Sequence, residues 1–362
     1  MYEIATLKTD LRVVALTAGH EDPASRFRIR QNIPHLGRLG IKVREFTPFV
    51  TQYPELPGRL GRIRRRYLLP LAVTQTALNV IARIPGTMAS YKADVTWISR
   101  SYIPAMEQAI RLVKKPRVLD VDDAIWLTTP FGARTAARFA RQMNAIVVAN
   151  HYLADWYSNY CDRVFVISGG IDIARFRPRP DGMQSQDSKF VIGWTGTSGN
   201  FRELYKIEVA LARFLVDHPD ARLCIVSNTQ PEFKIVPQAQ LEFRRWREAD
   251  EVADIQDFNV GIMPLHDSEW TRGKNSNKML CYMACGLPVV VSPVGTNKEI
   301  LEIGKIGFGA TSLDDWYELV NQIYCNRDLG TSLGANGHDI VAQNFSAQAV
   351  SEQLAKVFRK LA

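Results

Sequence analysis

Short apolar runs, many of them β-branched, alternate with amphipathic stretches nearly from one end of the chain to the other. Ten runs have the length of strands: residues 12–17, 41–46, 94–99, 117–121, 145–149, 163–167, 190–194, 222–227, 259–263 and 288–291. Strands that are apolar on both faces are typical of parallel sheets covered by helices on both sides. The pattern therefore predicts an α/β protein with two doubly wound domains.

Helices are predicted between these strands. The clearest amphipathic stretches are residues 26–39, 105–113, 202–216, 277–284 and 314–324. A polar segment marked by Pro and Gly then precedes the strand at Phe190 and indicates a boundary between domains. The predicted organisation is a first domain over 1–175, a linker over 176–188, a second domain over 189–345 and a C-terminal helix over 346–362.

The last helix has two predicted positions. Ser346 is its expected N-cap. One face carries the apolar residues Val350, Leu354, Val357, Phe358 and Leu361. This face packs either on the second domain or, if the helix crosses back, on the first. The two domains are expected to turn the carboxyl ends of their strands toward a common cleft, the usual place for a nucleotide.

The net charge of +8 calls for a partner or a solvated surface. Part of the excess comes from one run: Arg59, Arg62, Arg64, Arg65 and Arg66. Docking on an anionic membrane surface is one interpretation of this basic segment and the weakly polar stretch after it. The other is a solvated loop followed by a helix packed into the first domain. Nucleic acid is not expected, because neither an aromatic stacking platform nor a known binding motif accompanies the charge.

Five scattered cysteines, without a CxxC pair, favour a reducing compartment. The first residues lack an apolar core of signal-peptide length. We therefore expect a cytoplasmic protein, located on the inner face of the membrane if the arginine segment docks there.

Two segments of the second half have the residues of a phosphate site. In residues 191–200 a buried strand runs into a turn of small residues that includes Gly196 and Thr197. Glycines there let backbone N–H groups approach a phosphate. In residues 270–278 the cations Arg272, Lys274 and Lys278 surround a polar loop before a helix. Cations and a helix N-terminus at one place can stabilise a leaving diphosphate, and the alternative is a solvated basic loop.

A third segment ends a strand with carboxylates: Asp120, Asp122 and Asp123. It imitates the DxD pattern that binds a divalent metal beside a nucleotide diphosphate, but a metal needs further oxygen ligands. We prefer acceptor binding or structural hydrogen bonding for these carboxylates.

With these residues identified, the chain resembles the glycosyltransferase family 4 group of retaining enzymes, which have the GT-B fold. The stretches similar to the family's donor-side signature are residues 259–265, 270, 273–274, 278, 282–290 and 292–297. In the first half, residues 24–28, 120–124, 149–154 and 168–172 resemble recurring features of the family. The resemblance covers essentially the whole chain and implies two Rossmann-like domains.

The resemblance implies sugar transfer from a nucleotide sugar to an acceptor hydroxyl, with retention of configuration. Lys274 and Lys278 are expected to stabilise the diphosphate, and Asp122 or Asp123 to orient the acceptor. Donor contacts are expected from Gly196, Thr197, Arg202, Arg272, Gly273, Asn275, Ser276, Asn277 and Cys281. The first domain's side of the cleft is expected to contain Gly19, Ser25, Arg26 and Arg28.

The expected partners are a nucleotide-sugar donor and a carbohydrate or lipid-linked acceptor in cell-surface polysaccharide or glycolipid synthesis. The nucleotide sugar is a substrate, and neither a metal nor another cofactor is expected.

The chain departs from the family at two carboxylates. The family's Glu-x7-Glu element maps onto Gly273 and Cys281, and a thiol is a weak partner for a ribose diol. The family's phosphate-binding Arg and Lys are not cleanly matched either, and Arg202 or Lys206 are the candidate substitutes.

Two alternatives to a transferase stay open. A catalytically silent GT-B protein, acting as a binding partner or scaffold for an active transferase, would fold but have no nucleotide affinity. An NAD-dependent oxidoreductase would need GxGxxG after an early strand, and residues 18–23 do not contain it.

Overall fold

The computed structural model describes residues 10–19, 22–48, 69–100, 107–129, 131–180 and 189–362. The arginine segment over 59–66 lies outside these residues. The chain divides into two compact units. Unit 1 consists of Met1–Gly170 with Val350–Ala362, and unit 2 of Ile171–Ala349.

Unit 1 is built on a parallel sheet with the order β2-β1-β3-β4-β5-β6 in its described part. The strands are β1 Leu11–Leu16, β2 Ile41–Phe46, β3 Val95–Ser99, β4 Arg117–Val121, β5 Ala145–Val148 and β6 Val164–Val166. Every residue of β3, β4 and β5 is buried, as expected for strands covered on both faces. The strand order reverses at β1, which makes the carboxyl ends of β1 and β3 a topological switch point.

The helices of unit 1 are α1 Ile33–Arg38, α2 Leu69–Ser90, α3 Gly132–Ala140 and α4 His151–Ser158. The predicted helix over 26–39 is irregular: a π turn over Ser25–Ile29 and a 3-10 turn over Arg30–Asn32 precede α1. Asn32 donates its side-chain N–H to the Arg28 carbonyl (2.8 Å), which stabilises this altered winding. Likewise, the described part of the predicted helix over 105–113 is a 3-10 segment, Glu107–Leu112.

None of the described helices has both the length and the apolarity that crossing a membrane requires.

Unit 2 contains a second parallel sheet, with the order β12-β11-β10-β7-β8-β9 among its described residues. Its strands are β7 Phe190–Thr195, β8 Ala221–Ser227, β9 Leu241–Arg245, β10 Val260–Met263, β11 Val289–Val291 and β12 Gly307–Gly309. Its helices are α5 Phe201–Lys206, α6 Glu208–Asp217, α7 Glu251–Gln256, α8 Glu269–Arg272, α9 Asn277–Ala284, α10 Thr296–Leu301, α11 Leu313–Cys325 and α12 Arg327–Ile340. Because β7 and β10 are neighbours, the loops that follow them leave the sheet side by side.

The C-terminal helix, α13 Ala347–Leu361, crosses back to unit 1. Ser346 acts as its cap, since its Oγ accepts a hydrogen bond from the Ala349 N–H (3.2 Å). Val350, Leu354 and Phe358 are buried in the core of unit 1, and the Phe358 ring lies 5.2 Å from the Trp97 ring, centroid to centroid. This decides between the two positions that the sequence left open.

Candidate functional site

Two loops that the sequence marks separately meet at the carboxyl edge of the unit 2 sheet. Lys278, in the first turn of α9, lies across the Gly196 backbone at the end of β7. A Cβ on Gly196 would come within 2.6 Å of Lys278 Cε and 2.7 Å of the Trp194 ring. Lys278 Nζ lies 4.9 Å from the centroid of that ring. The contact requires a glycine at position 196.

Lys274 reaches the same turn from the other side. Its Nζ donates a hydrogen bond to Asn200 Oδ1 (3.0 Å), just before α5. In the same turn, Thr197 Oγ1 accepts from the Asn200 side-chain N–H (3.0 Å). Lys274, from the loop before α9, and Lys278, from the first turn of α9, therefore contact one turn of small and polar residues.

The N-terminus of α9 adds partial positive charge at this place. Ser276 occupies the N-cap position, but it does not cap the helix with its side chain. Its Oγ donates instead to Asn297 Oδ1 (2.6 Å). The Ser276 side chain therefore does not cap α9, and the partial positive charge of a helix N-terminus favours an anion. Asn275 donates to the side chain of Asn277 (3.1 Å) within the same loop.

The segment after β11 holds this loop in place. Thr296 donates to the Lys274 carbonyl (2.8 Å), and the Asn297 side chain donates to the Ser292 carbonyl (3.0 Å). Gly295 has φ +55°, and a Cβ there would collide with the Arg272 carbonyl. The sequence placed these residues in the family signature without giving them this supporting role.

Tyr282 fixes α9 against the central strand of the sheet. Its buried Oη accepts a hydrogen bond from the Thr195 N–H (2.8 Å). The ring packs on Gly261 of β10, where a Cβ would overlap it. Burial raises the pKa of the Tyr282 hydroxyl well above its usual range, so it stays protonated. The neighbouring Cys281 is also buried, and its thiol lies within unit 2.

A carboxylate that the sequence analysis did not identify organises the cations after β7. Glu203 is buried and accepts hydrogen bonds from the His266 backbone N–H (3.0 Å) and contacts His266 Nδ1 (2.9 Å). Arg202 and Lys206 pair with the same carboxylate at 3.0 and 3.6 Å. Burial alone would raise the pKa of Glu203, but the bonds from His266 outweigh it and lower the pKa. Glu203 therefore fixes the two cations proposed as substitutes for the family's phosphate ligands.

Arg272 has a different partner from the two lysines. It donates two hydrogen bonds to Asp267, at 2.7 and 2.8 Å, and half of its side chain is exposed. This pairing lowers the pKa of Asp267 chiefly through the hydrogen bond. Gly273 follows Arg272 as the C-cap of α8.

Two of the residues predicted for the first domain's side of the cleft, Ser25 and Arg28, are buried in unit 1. Arg28 Nε donates to Asp120 Oδ1 (2.6 Å), and its NH1 donates to the Ile167 carbonyl (2.6 Å). Ser25 is fully buried and donates its hydroxyl to Asp22 (2.6 Å). Their polar atoms hold the carboxyl ends of the strands together.

The remaining unit 1 residues lie nearer the surface. Arg26 is only partly buried, with its guanidinium 4.7 Å from the Phe27 ring centroid. The Gly19 carbonyl accepts from Arg30 (3.3 Å).

Asp122 and Asp123 share a guanidinium. Arg100 donates to both oxygens of Asp122, at 2.6 and 3.0 Å, and to Asp123 at 2.8 Å. Arg100 has φ +56°, uncommon for a residue with a side chain, and this backbone strain marks a site worth testing. Burial would raise the pKa of Asp122, but the Arg100 charge outweighs it and lowers the pKa. The signal that could have found Arg100 is a cation directly after a buried strand.

Clusters of three or more His, Cys, Asp or Glu side chains suited to a metal ion do not occur in the part of the chain that the structure describes.

Replacing Gly196 by alanine is expected to weaken nucleotide binding at least about tenfold, which corresponds to about 1.4 kcal/mol. The new methyl group displaces Lys278 from the turn, because the Trp194 ring on its other side is rigidly packed. Titration calorimetry with a nucleoside diphosphate measures the effect. Gly199→Ala is the matched control in the same turn, since a Cβ there meets nothing within 4 Å. Equal affinity of the two variants would contradict the contact.

Comparison with known proteins identifies the architecture. Residues 191–326 match the family model of "Glycosyl transferases group 1". No curated protein sequence matches the chain.

Three solved structures illustrate the structural similarity. Sucrose-phosphate synthase from Thermosynechococcus elongatus has a TM-score of 0.70 at 15% identity, covering 97% of this chain and 98% of its own. Anabaena HepE, in complex with UDP and glucose, also has a TM-score of 0.70 at 15% identity, with coverage of 97% and 100%. A glycosyltransferase from Rickettsia africae has a TM-score of 0.68 at 12% identity, and the match covers 98% of this chain and 99% of its own.

The predicted GT-B fold, with its two doubly wound parallel-sheet domains, is thereby confirmed. The predicted resemblance to this group of glycosyltransferases is confirmed by the family model over residues 191–326.

Proposed function

We propose that this chain, whose second unit matches the group 1 glycosyl transferases, transfers a sugar from a nucleotide-sugar donor to an acceptor hydroxyl. One observation carries the proposal: Lys274 and Lys278 converge on the β7–α5 turn at the N-terminus of α9. Two cations and a helix N-terminus at one sheet edge are suited to a diphosphate. HepE, which shares the fold, was solved with UDP and glucose, so UDP-sugars are the first donors to test.

In the proposed reaction, the bond between the sugar and the diphosphate breaks while the acceptor hydroxyl oxygen attacks from the same face, and the hydroxyl proton passes to the departing diphosphate oxygen. Configuration at the sugar carbon is then retained without an enzyme nucleophile. Negative charge grows on the leaving diphosphate, and fixed positive groups in a partly buried site stabilise that charge. Lys274, Lys278 and the first amides of α9 supply these groups, and Arg202, which pairs with Glu203, is a further candidate cation on α5.

The proposal distinguishes the two carboxylates of unit 1. Both oxygens of Asp122 bind Arg100, so Asp122 is assigned a positioning role. Asp123 also pairs with Arg100, but 22% of its side chain is exposed, compared with 6% for Asp122. Asp123 is therefore the better group to orient an acceptor hydroxyl. The proposed acceptor is a carbohydrate or a lipid-linked sugar of a cell-surface polysaccharide or glycolipid, reached at the inner face of a membrane.

A thermal-shift titration with UDP, GDP, dTDP, ADP and NAD tests the donor site. A ligand that binds only the folded state stabilises it by about 2.7 kcal/mol at a hundredfold excess over its dissociation constant. We expect one nucleoside diphosphate to raise the melting temperature and NAD to leave it unchanged. A folded sample that responds to none of them would favour the catalytically silent scaffold, in which the missing carboxylates at Gly273 and Cys281 reflect lost catalysis.

A further inference from the structure

Within unit 1, helix α2 packs on strand β1 with a face of polar and small residues. Its buried positions over 77–90 are Asn79, Arg83, Gly86 and Ser90, which share one stripe of the helix. Arg83 donates to the Thr17 carbonyl (2.8 Å), and Ser90 Oγ accepts from the Lys114 N–H (3.1 Å). A Cβ on Gly86 would lie 2.6 Å from Leu16 Cδ2, so the helix rests closely on β1. These contacts fix the rotation of α2 about its axis.

The opposite face of α2 is apolar and exposed. The exposed apolar residues here are Leu78, Ile81, Ile84 and Met88 of α2, Tyr91 directly after its end, and Leu112 of the 3-10 segment Glu107–Leu112. Their exposed fractions run from 37% to 68%. The Tyr91 hydroxyl donates to the Leu112 carbonyl (3.0 Å), which joins the two segments. This set, the outer face of α2, extends about 20 Å along the helix.

An apolar row of this length is unusual on a protein that is surrounded by water. Helices at a protein surface normally bury their apolar stripe and expose their polar one. Here the arrangement is reversed, although the buried contacts of α2 are specific and close. The reversal indicates that another apolar phase covers the outer face.

The charged residues beside the outer face of α2 indicate what kind of surface covers it. Lys92, Arg111 and Lys115 are exposed next to it. Over the described residues 77–92, which contain most of this face, no Asp or Glu occurs. A second copy packed symmetrically on this face would bring like charges together. An anionic lipid surface is complementary to both the apolar row and the cations.

We infer that the outer face of α2 docks flat on an anionic phospholipid bilayer. The apolar side chains enter the boundary between head groups and acyl chains, and the flanking cations bind lipid phosphates. Docking extends the membrane part of the proposed function by placing the protein where lipid-linked acceptors reside. It does not require nucleotide binding, so the two proposals are tested separately.

Co-sedimentation of the full chain with vesicles tests the inference. One set of vesicles is phosphatidylcholine, and the other is an equal mixture of phosphatidylcholine and phosphatidylglycerol. We expect the wild type to bind the mixed vesicles, and the triple variant Ile81→Gln, Ile84→Gln, Met88→Gln to bind them at least about tenfold more weakly. The control is the triple variant Val209→Gln, Val216→Gln, Ile303→Gln of unit 2, whose positions are 57%, 66% and 48% exposed.

A variant with reversed charges separates the electrostatic contribution to vesicle binding from the apolar contribution. Lys92→Glu with Arg111→Glu is expected to weaken binding to the mixed vesicles and to reduce its salt dependence. An unchanged melting temperature of the Ile81, Ile84 and Met88 variant, measured without nucleotide, would show that lost vesicle binding is not lost folding.

Three results would overturn the inference. The first is a wild type that binds neither vesicle, and the second is an α2 variant that binds like the wild type. The third comes from sedimentation velocity without lipid: a wild type that is a dimer and an α2 variant that is a monomer. A second copy of the chain, and not a bilayer, would then cover the outer face of α2.

Discussion

Lys278→Met is expected to lower turnover of the nucleotide-sugar donor by about 10²–10³, the usual loss when one fixed group that stabilises transition-state charge is removed. The affinity for the nucleoside diphosphate should fall by about 10–100-fold, since a hydrogen bond to a charged group contributes about 1.5–3 kcal/mol. Methionine keeps an unbranched stem over Gly196 and Trp194, so the fold should persist. Release of the nucleoside diphosphate measures turnover, and calorimetry measures affinity.

The matched control is Lys298→Met. Lys298 lies on α10 of the same unit, is 64% exposed and pairs with Glu302 at 3.8 Å. An exposed pair of this kind contributes about 0–1 kcal/mol and has no role in the proposed site. If both variants lose the same activity, the effect of Lys278 is a general effect of charge, and the assignment of the diphosphate to the α9 N-terminus is wrong.

Arg28→Met is expected to lower the free energy of unfolding at neutral pH by about 3–5 kcal/mol, because it leaves a buried carboxylate without its counter-ion. The side chains of Arg28 and Asp120 are 3% and 1% exposed, and they meet at 2.6 Å. The Trp97 indole N–H (3.1 Å) remains as a partner of Asp120, but it carries no charge. Urea denaturation measures the loss.

The loss should depend on pH. Burial already raises the pKa of Asp120 in the native protein, despite the opposing charge of Arg28. Without Arg28 the pKa rises further, so the folded variant binds a proton that the unfolded chain releases. Stability then falls as the pH rises from the usual aspartate pKa, about 4, through the raised value. The deficit of the variant is therefore largest at neutral pH and shrinks in acid.

Arg12→Met provides the comparison. The Arg12 side chain is 68% exposed and lies 3.8 Å from Asp94, so its removal should cost about 1 kcal/mol or less at any of these pH values. A deficit for Arg28→Met that is equally small, or that is constant with pH, would contradict the assignment of Arg28 as the buried counter-ion of Asp120.

Ten of the twelve described strands were predicted, because the sequence marks them as short runs rich in apolar residues. The runs at 41–46 and 117–121 coincide with β2 and β4, and the others differ from the observed strands by a residue or two at their ends. Among the described strands, the missed ones are β9 and β12, which lie at the two edges of the unit 2 sheet. β9 carries Glu242, Arg244 and Arg245, and β12 has only three residues, two of them glycine. Edge strands need less apolar surface, so their pattern is weak.

The position of the glycine turn and the basic loop at one sheet edge was predictable for a related reason. Gly196 ends one strand, and Lys274 and Lys278 follow another, so parallel topology brings them to the same edge. The pairing of β7 with β10 makes them neighbours, and that pairing is a property of the folded sheet. The sequence pattern did not reveal Glu203 as the partner of His266, 63 residues away, or Arg100 as the partner of Asp122. Such contacts depend on which loops the sheet places side by side.

The amino-acid sequence alone determined the two parallel-sheet units, the basic loop before α9 and the glycine turn after β7, because local periodicity and residue chemistry encode them. Tertiary structure decided which charges are buried and which face outward. Arg28, in the π turn that precedes α1, is a buried counter-ion of Asp120 on β4. In α2 periodicity defines an apolar face but not its direction, and the contacts of Arg83 and Gly86 with β1 turn that face to the outside.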